Sequence, residues 1–281
     1  MGACRICFFL VLLLGLGVLV RAEELRFAPL PMESQDVVEA QFRPMVEDVS
    51  RALGVPVTMV FVADYAQLLD QFRLGRIDLA YLGPLPYVRL RAVFPEADPL
   101  VIFREPSGEA QYQCVVVSMM DELPRLEGLR DRRIALTQPL STCGFLVTEG
   151  LLRRHGTSLA QNHFFYAGTH SGALVAVVRG QAHLAGAKRS IAEKFLKLGL
   201  EVRAESEPLP GFVLVANGVT VSSQRREEIR RFLVEMDALA REGRLAWGEK
   251  VGFGAVPARD SDFDAVRRLR EEAKSIPWEG W

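Results

Sequence analysis

Cysteine, histidine and unbalanced charge are all scarce in this chain of 281 residues. It has four Cys, four His, and 34 Lys+Arg against 35 Asp+Glu, a net charge of −1. The near-zero balance argues against a general nucleic-acid or anionic-membrane binder, which needs a basic excess. No nucleic-acid partner is therefore expected, and any bound anion must be held by local geometry. The dispersed His and Cys show no close ligand spacing, so no metal site is expected. Neither G-x-x-x-x-G-K-[ST] nor G-x-G-x-x-G occurs, so the Gly-rich phosphate loops of nucleotide enzymes are missing and no cofactor is expected. Repeats and low-complexity segments are lacking too. What is present is globular: 49% hydrophobic and 25% charged residues. That is enough to bury a full core in one large domain or two smaller ones.

Residues 1–22 differ from the rest. Arg5 is the only charge before an apolar run from Phe8 to Val20, and Val20-Arg21-Ala22 gives a small-residue cleavage pattern before Glu23. This reads as a secretory signal peptide. The run is shorter than the roughly 20 apolar residues that span a bilayer, and no later stretch is apolar enough to cross one. Cleavage removes Arg5, Arg21, Cys4 and Cys7, leaving a mature chain of net charge −3, expected to be exported and soluble. Cys114 and Cys143 remain, 29 positions apart. Cys114 precedes Val115-Val116-Val117 and reads as a buried small hydrophobe, so the two are expected to stay unbridged.

Strand and helix patterns alternate along the mature chain. Leu25 to Leu30, Val57 to Val62 and Ile77 to Leu82 read as strands. Between them, Val38, Phe42, Met45, Val46, Val49 and Leu53 share a helical face, and Asp64 can cap a helix running to Gly75. A second series follows, with strands at 115–118, 133–136, 164–167 and 183–187 and helices at 144–155, 171–179 and 191–198. Pro208-Leu209-Pro210-Gly211 breaks the pattern before a strand at 212–216 and helices at 225–241 and 263–274. Strands separated by single helices predict an α/β protein of βαβ units with parallel sheets. The expected organisation is a first lobe over 23–110, a second over 111–212, and a return to the first over 213–281, with a ligand cleft between the lobes at the carboxyl ends of the strands.

The most informative loop is Thr137-Gln138-Pro139-Leu140-Ser141-Thr142-Cys143-Gly144-Phe145. It follows a strand and opens a helix. Pro139 prevents an early start, and Ser141 or Thr142 can cap. The hydroxyls and unpaired first-turn N–H groups form a compact donor set for a tetrahedral oxyanion. His170 stands at the next strand-to-helix junction, where it can donate to an anion or cap its own helix. Tyr65, beside Asp64, offers a phenol from the other lobe.

These residues resemble those of the phosphate-, phosphite- and phosphonate-binding proteins that feed ABC importers. The matching stretches are Pro31-Met32-Glu33-Ser34-Gln35, Asp64-Tyr65-Ala66, the segment Gly75 to Pro84, Ser141-Thr142-Cys143-Gly144-Phe145-Leu146, His170 with Ala173 to Val177, and Leu209-Pro210-Gly211. The resemblance implies a two-lobed type II periplasmic-binding-protein fold with an interlobe ligand cleft. It places Ser141, Thr142, the Cys143 position and His170 around the ligand's oxygens, with Tyr65 opposite. Cys143 departs from the family's serine, and a thiol is the weaker donor. Aminoalkylphosphonate binders of the family hold the ammonium with carboxylates, whereas here the corresponding stretches read Ala187-Lys188-Arg189-Ser190 and Pro210-Gly211-Phe212, with no acid. His183 stands where the family often has an aspartate in the second lobe. Lys188 and Arg189 are expected at the solvated surface, with the alternative that one of them adds positive potential to the site. A phosphite, phosphate or small neutral-tailed phosphonate is therefore expected as ligand.

Three functions follow in order. The first is a non-catalytic, monomeric solute receptor in the periplasm that delivers the anion to a membrane permease. The second is a sensor subunit presenting the same ligand to a membrane kinase or chemoreceptor. The third is a thiol enzyme with Cys143 as nucleophile at a helix start and His170 as base.

Overall fold

A computed structural model describes residues 24–121 and 125–273. The signal peptide expected over 1–22 and the C-terminal Trp278 and Trp281 lie outside the described residues. The strands are β1 (Leu25–Pro29), β2 (Val57–Met59), β3 (Leu79–Leu82), β4 (Ala97–Phe103), β5 (Gln111–Tyr112), β6 (Cys114–Met119), β7 (Arg133–Leu136), β8 (His163–Tyr166), β9 (Leu184–Lys188), β10 (Leu200–Glu205), β11 (Leu209–Pro210), β12 (Val213–Asn217) and β13 (Ala255–Pro257). The α-helices are α1 (Gln35–Leu53), α2 (Tyr65–Arg73), α3 (Pro84–Val93), α4 (Thr148–Arg154), α5 (His170–Val178), α6 (Arg189–Ala192), α7 (Ser223–Arg241) and α8 (Asp264–Glu272).

The strands form two main sheets. The first runs β13-β4-β12-β3-β1-β2 and the second β10-β6-β9-β7-β8. Each contains a parallel trio, β2-β1-β3 in one and β8-β7-β9 in the other. Each trio is then flanked by an antiparallel strand, β12 against β3 and β6 against β9. The sheets are thus mixed rather than parallel throughout. The reason is that β6 and β12 adjoin the segments where the chain crosses between sheets, and each enters its sheet from the crossover end. The crossovers themselves pair as a two-stranded ribbon, β5 with β11.

Period-2 alternation divides the second sheet between two cores. Cys114 and Val116 of β6 join the cluster that holds Ile134, Leu136 and Phe145, while Val115 and Val117 pack with Ala173, Leu174 and Val177 of α5. On the first sheet, Val38, Phe42, Met45, Val46 and Val49 form the buried stripe of α1 that the spacing predicts.

The two trios are pinned alike at their far ends. Asp78 is buried before β3 and accepts from the backbone N of Arg26 at 2.8 Å. His183 precedes β9, and its Nδ1 accepts from the backbone N of Arg133 at 3.0 Å. His183 therefore does the work of Asp78 with a ring nitrogen, at the opposite end of β9 from Lys188. It anchors a strand and does not bear on the ligand's tail.

Candidate functional site

The carboxyl ends of both parallel trios face each other across one small cavity, whose water-accessible space is only about 10 Å3. From the first sheet come Leu30 after β1, Tyr65 after β2, and Gly83 after β3. From the second come Ser141, Thr142 and Cys143 after β7, His170 after β8, and Lys188 at the end of β9. Tyr112 in the crossover ribbon and Phe212 just after it complete the wall. The five residues singled out from sequence thus line a single space. Tyr112, Lys188 and Phe212 line it as well; of these the sequence marks only Lys188, as the alternative source of positive potential.

The helix after β7 begins as a π-helical turn, Thr142–Val147, before continuing as α4. Ser141 caps it: its Oγ accepts from Gly144 N at 3.0 Å, and its carbonyl accepts from Leu146 N at 3.2 Å. Thr142 does not cap. Its Oγ1 accepts instead from Leu85 N at 3.0 Å, an unpaired first-turn N–H of α3 on the other side of the cleft. The Tyr112 phenol also bonds the Thr142 hydroxyl, and burial pushes that phenol's pKa upward. Two helix starts therefore meet at one hydroxyl.

Gly144 allows the turn to sit close to β7. A Cβ there would lie 2.1 Å from Thr137 Oγ1, and that buried hydroxyl has no hydrogen-bond partner. Cys143 is disulfide-bonded to Cys114, against the expectation of two free thiols. Sequence separation could not reveal the proximity, because the loop after β7 and the start of β6 come together only through the strand order. The bridge also disposes of the thiol-enzyme reading, since Cys143 has no thiolate to offer, and of a thiol hydrogen bond to any ligand. The backbone N–H of Cys143 remains.

His170 opens α5, but Thr169 is the cap, its Oγ1 accepting from Gly172 N at 2.9 Å. The imidazole is buried, and its Nδ1 accepts from Lys188 N at 3.2 Å. That bond places the ring proton on Nε2. Burial first, then the nearby Lys250 and Lys188 ammonium groups, lower the His170 pKa to about 3. The ring is a neutral N–H donor, with no partner for Nε2 among the described residues. The Tyr65 phenol, buried across the cleft, likewise has no hydrogen-bond partner there, and burial raises its pKa.

Lys188 is the main departure from expectation. It is 6% exposed rather than solvated. Its Nζ lies 2.6 Å from Glu105 Oε1, and 5.3 and 5.1 Å from the ring centres of Tyr112 and Phe212. The acid that the local stretches lacked comes from Glu105, in the crossover that follows β4. Arg189, by contrast, is half-exposed and pairs with Glu193 and Glu205.

Further bonds hold the cleft shut. Tyr65 N donates to Gln138 Oε1 at 3.2 Å, Gln138 Nε2 donates to Pro31 O at 3.3 Å, and Lys194 pairs with Glu249 at 3.0 Å. Among the described residues, no group of three or more His, Cys, Asp or Glu is placed to hold a metal, and no helix is long and apolar enough to cross a membrane.

A two-sheet α/β scaffold with a donor-lined cavity between its sheets is the architecture of a solute-binding protein. The chain belongs to the family of periplasmic substrate-binding proteins of phosphonate ABC transporters, whose family model matches residues 27–263. It is similar to the phosphate-import protein PhnD of Mycolicibacterium smegmatis, with 26% identity over 280 residues covering 88% of this chain and 85% of that protein. It is also similar to the probable ABC transporter phosphite binding protein PhnD1 of Prochlorococcus marinus, with 25% identity over 175 residues, 58% of this chain and 57% of that one. The solved structure of PhnD1 from Prochlorococcus marinus in complex with methylphosphonate matches with a TM-score of 0.75 at 19% identity, covering 90% of this chain and 99% of that chain. The fold is that of the periplasmic binding proteins.

Proposed function

We propose that this protein captures phosphite, phosphate or a small phosphonate with a neutral substituent in the periplasm and hands it, as a non-catalytic monomer, to the membrane permease of an ABC importer. The observation that carries the reading is the convergence of Ser141, Thr142, His170 and Tyr65 on one small cavity. Their hydroxyls, ring N–H and phenol are donors to a tetrahedral oxyanion, together with the backbone N–H groups at the helix start after Ser141. The relatives named above are called phosphate-import and phosphite binding proteins, and the solved one holds methylphosphonate. Export follows from the cleavable leader read at residues 1–22.

In the open cleft the anion meets the donors after β7 and β8. Closure then brings Tyr65 and the start of α3 against them. The Leu85 N–H reaches Thr142 only when the lobes are together, so closure and donor alignment are one event. The closed form is the species the permease meets. No covalent chemistry is required of the protein.

Titration calorimetry of the mature chain against phosphite, phosphate, methylphosphonate and 2-aminoethylphosphonate tests this. Tight binding of at least one of the first three, with weak binding of the amino compound, is expected. Heat from none of them, or from the amino compound alone, contradicts it.

A further inference from the structure

Lys188 sits in a setting built for a cation. Two aromatic faces and a carboxylate surround its Nζ: Tyr112 at 5.3 Å, Phe212 at 5.1 Å and Glu105 at 2.6 Å. The two rings lie 5.6 Å apart, and Phe212 is stacked on Tyr81 at 5.1 Å, so the aromatic wall is fixed. Aromatic faces with a carboxylate are the chemistry that recognises alkylammonium groups. Here the chain supplies that group itself, inside the cavity that holds Ser141, Thr142 and His170.

We infer that Lys188 is a specificity-determining residue: a built-in ammonium that fills the cation-accepting end of the cleft and restricts the ligand to a small oxyanion without a cationic tail. This deepens the phosphorus-oxyanion reading and rests on it. A ligand with its own ammonium would have to displace Lys188 from Glu105 or enter beside it, and either leaves a buried charge unpaired. A ligand without one leaves the Lys188–Glu105 pair intact and gains a positive charge at close range. Lys250, half-buried nearby with its pKa lowered by burial and by Lys188, makes a second cation still less welcome.

Lys188 also reaches the oxyanion donors through its main chain. Its backbone N fixes the tautomer of His170, and in the sheet it lies opposite Cys114, the disulfide partner of Cys143. A side-chain substitution keeps those backbone links, so it isolates the ammonium.

The test compares the wild-type chain with Lys188→Ala and Lys188→Met by calorimetry against phosphite and 2-aminoethylphosphonate, with melting curves for each. Lys188→Ala opens the box and leaves Glu105 without a cation, whereas Lys188→Met keeps the space filled. For Lys188→Ala, the ratio of the 2-aminoethylphosphonate Kd to the phosphite Kd should fall by about tenfold or more, since the ligand's ammonium now answers a buried carboxylate. For Lys188→Met, phosphite should weaken without any gain for the amino compound. If Lys188→Ala melts too low to titrate, Glu105→Gln replaces it: with Lys188 left unpaired the preference for phosphite over 2-aminoethylphosphonate should sharpen by about threefold or more, and an unchanged or weaker preference overturns the inference. A wild type that binds phosphite while Lys188→Ala leaves the ratio within about threefold overturns the inference and spares the functional reading. A wild type that binds neither compound, nor phosphate or methylphosphonate, overturns the functional reading itself.

Discussion

At His170, one backbone amide decides what the side chain can do. Because Lys188 N donates to Nδ1, the ring presents Nε2–H, and with a pKa near 3 it stays neutral across the physiological range. A free imidazole in the unfolded chain titrates near 6.5. Between about pH 6.5 and 3 the unfolded state therefore binds the extra proton, so stability rises with pH over that window and drops on acidification, by at most about 1.4 kcal/mol per pH unit. Urea unfolding at pH 7 and pH 4.5 should show a larger acid loss for the wild type than for His170→Gln. Equal losses would mean the ring is charged in the native protein. Thr142 makes a separate case, as the hydroxyl shared by Leu85 N and Tyr112. Thr142→Ala should weaken phosphite roughly 10- to 100-fold, the value of one charge-assisted bond of about 1.5–3 kcal/mol. Thr142→Ser, which restores the hydroxyl, should recover most of the affinity. Calorimetry reads both, and an unchanged Kd in Thr142→Ala would remove that residue from the site. Ser141, Thr142, His170 and Tyr65 were legible because each stands at a junction where a strand pattern gives way to a helix pattern. Glu105, Tyr112 and Phe212 were not, because the two crossovers that carry them have no periodicity to place them, and Lys188 read as surface because its partner lies 83 positions away.

Among the elements, the π-helical start after β7 depends on two local devices. One is Gly144, which meets the buried Thr137 side chain with no room for a Cβ. Gly144→Ala should cost roughly 1–3 kcal/mol through overpacking. Thr137→Ala should cost little alone, since its hydroxyl is unpartnered, and should relieve much of the loss in the double variant. Thermal melts of the three variants check this; additive losses would show that the two residues do not compete for space. The other device is the Cys114–Cys143 bridge, which closes a loop across 29 positions. In the chain-entropy description its loss should cost roughly 3–4 kcal/mol, read as a lower denaturant midpoint for Cys114→Ser/Cys143→Ser. A midpoint unchanged from wild type would contradict a bridge in the folded protein. Helices with a clear apolar stripe, such as α1, were legible from spacing alone. Strands β4, β10 and β13 and the proline-bearing α3 are not legible in the sequence, because short runs interrupted by Pro or charge carry no distinctive period. A βαβ rhythm predicts parallel pairing throughout, because it does not reveal that a crossing segment such as β6 or β12 enters its sheet from the opposite end.

At the scale of the whole molecule, a chain of net charge −1 has no strong positive field to draw in the anion of the proposed function. In the proposed reading the grip comes from fixed groups gathered in the cleft: hydroxyls, amide N–H groups, a neutral imidazole, and a lysine already paired there. Such interactions lie within a closed cavity and are screened little by salt, unlike those between exposed charges. The most direct test is the phosphite Kd of the wild-type chain measured by calorimetry at about 0.02 M and about 0.5 M NaCl, concentrations that span Debye lengths from well above to well below the 10 Å scale. Local, buried donors predict a Kd that changes by no more than about threefold between the two. A loss of affinity of tenfold or more would show that diffuse surface charge holds the anion, and would contradict the cleft as the source of binding.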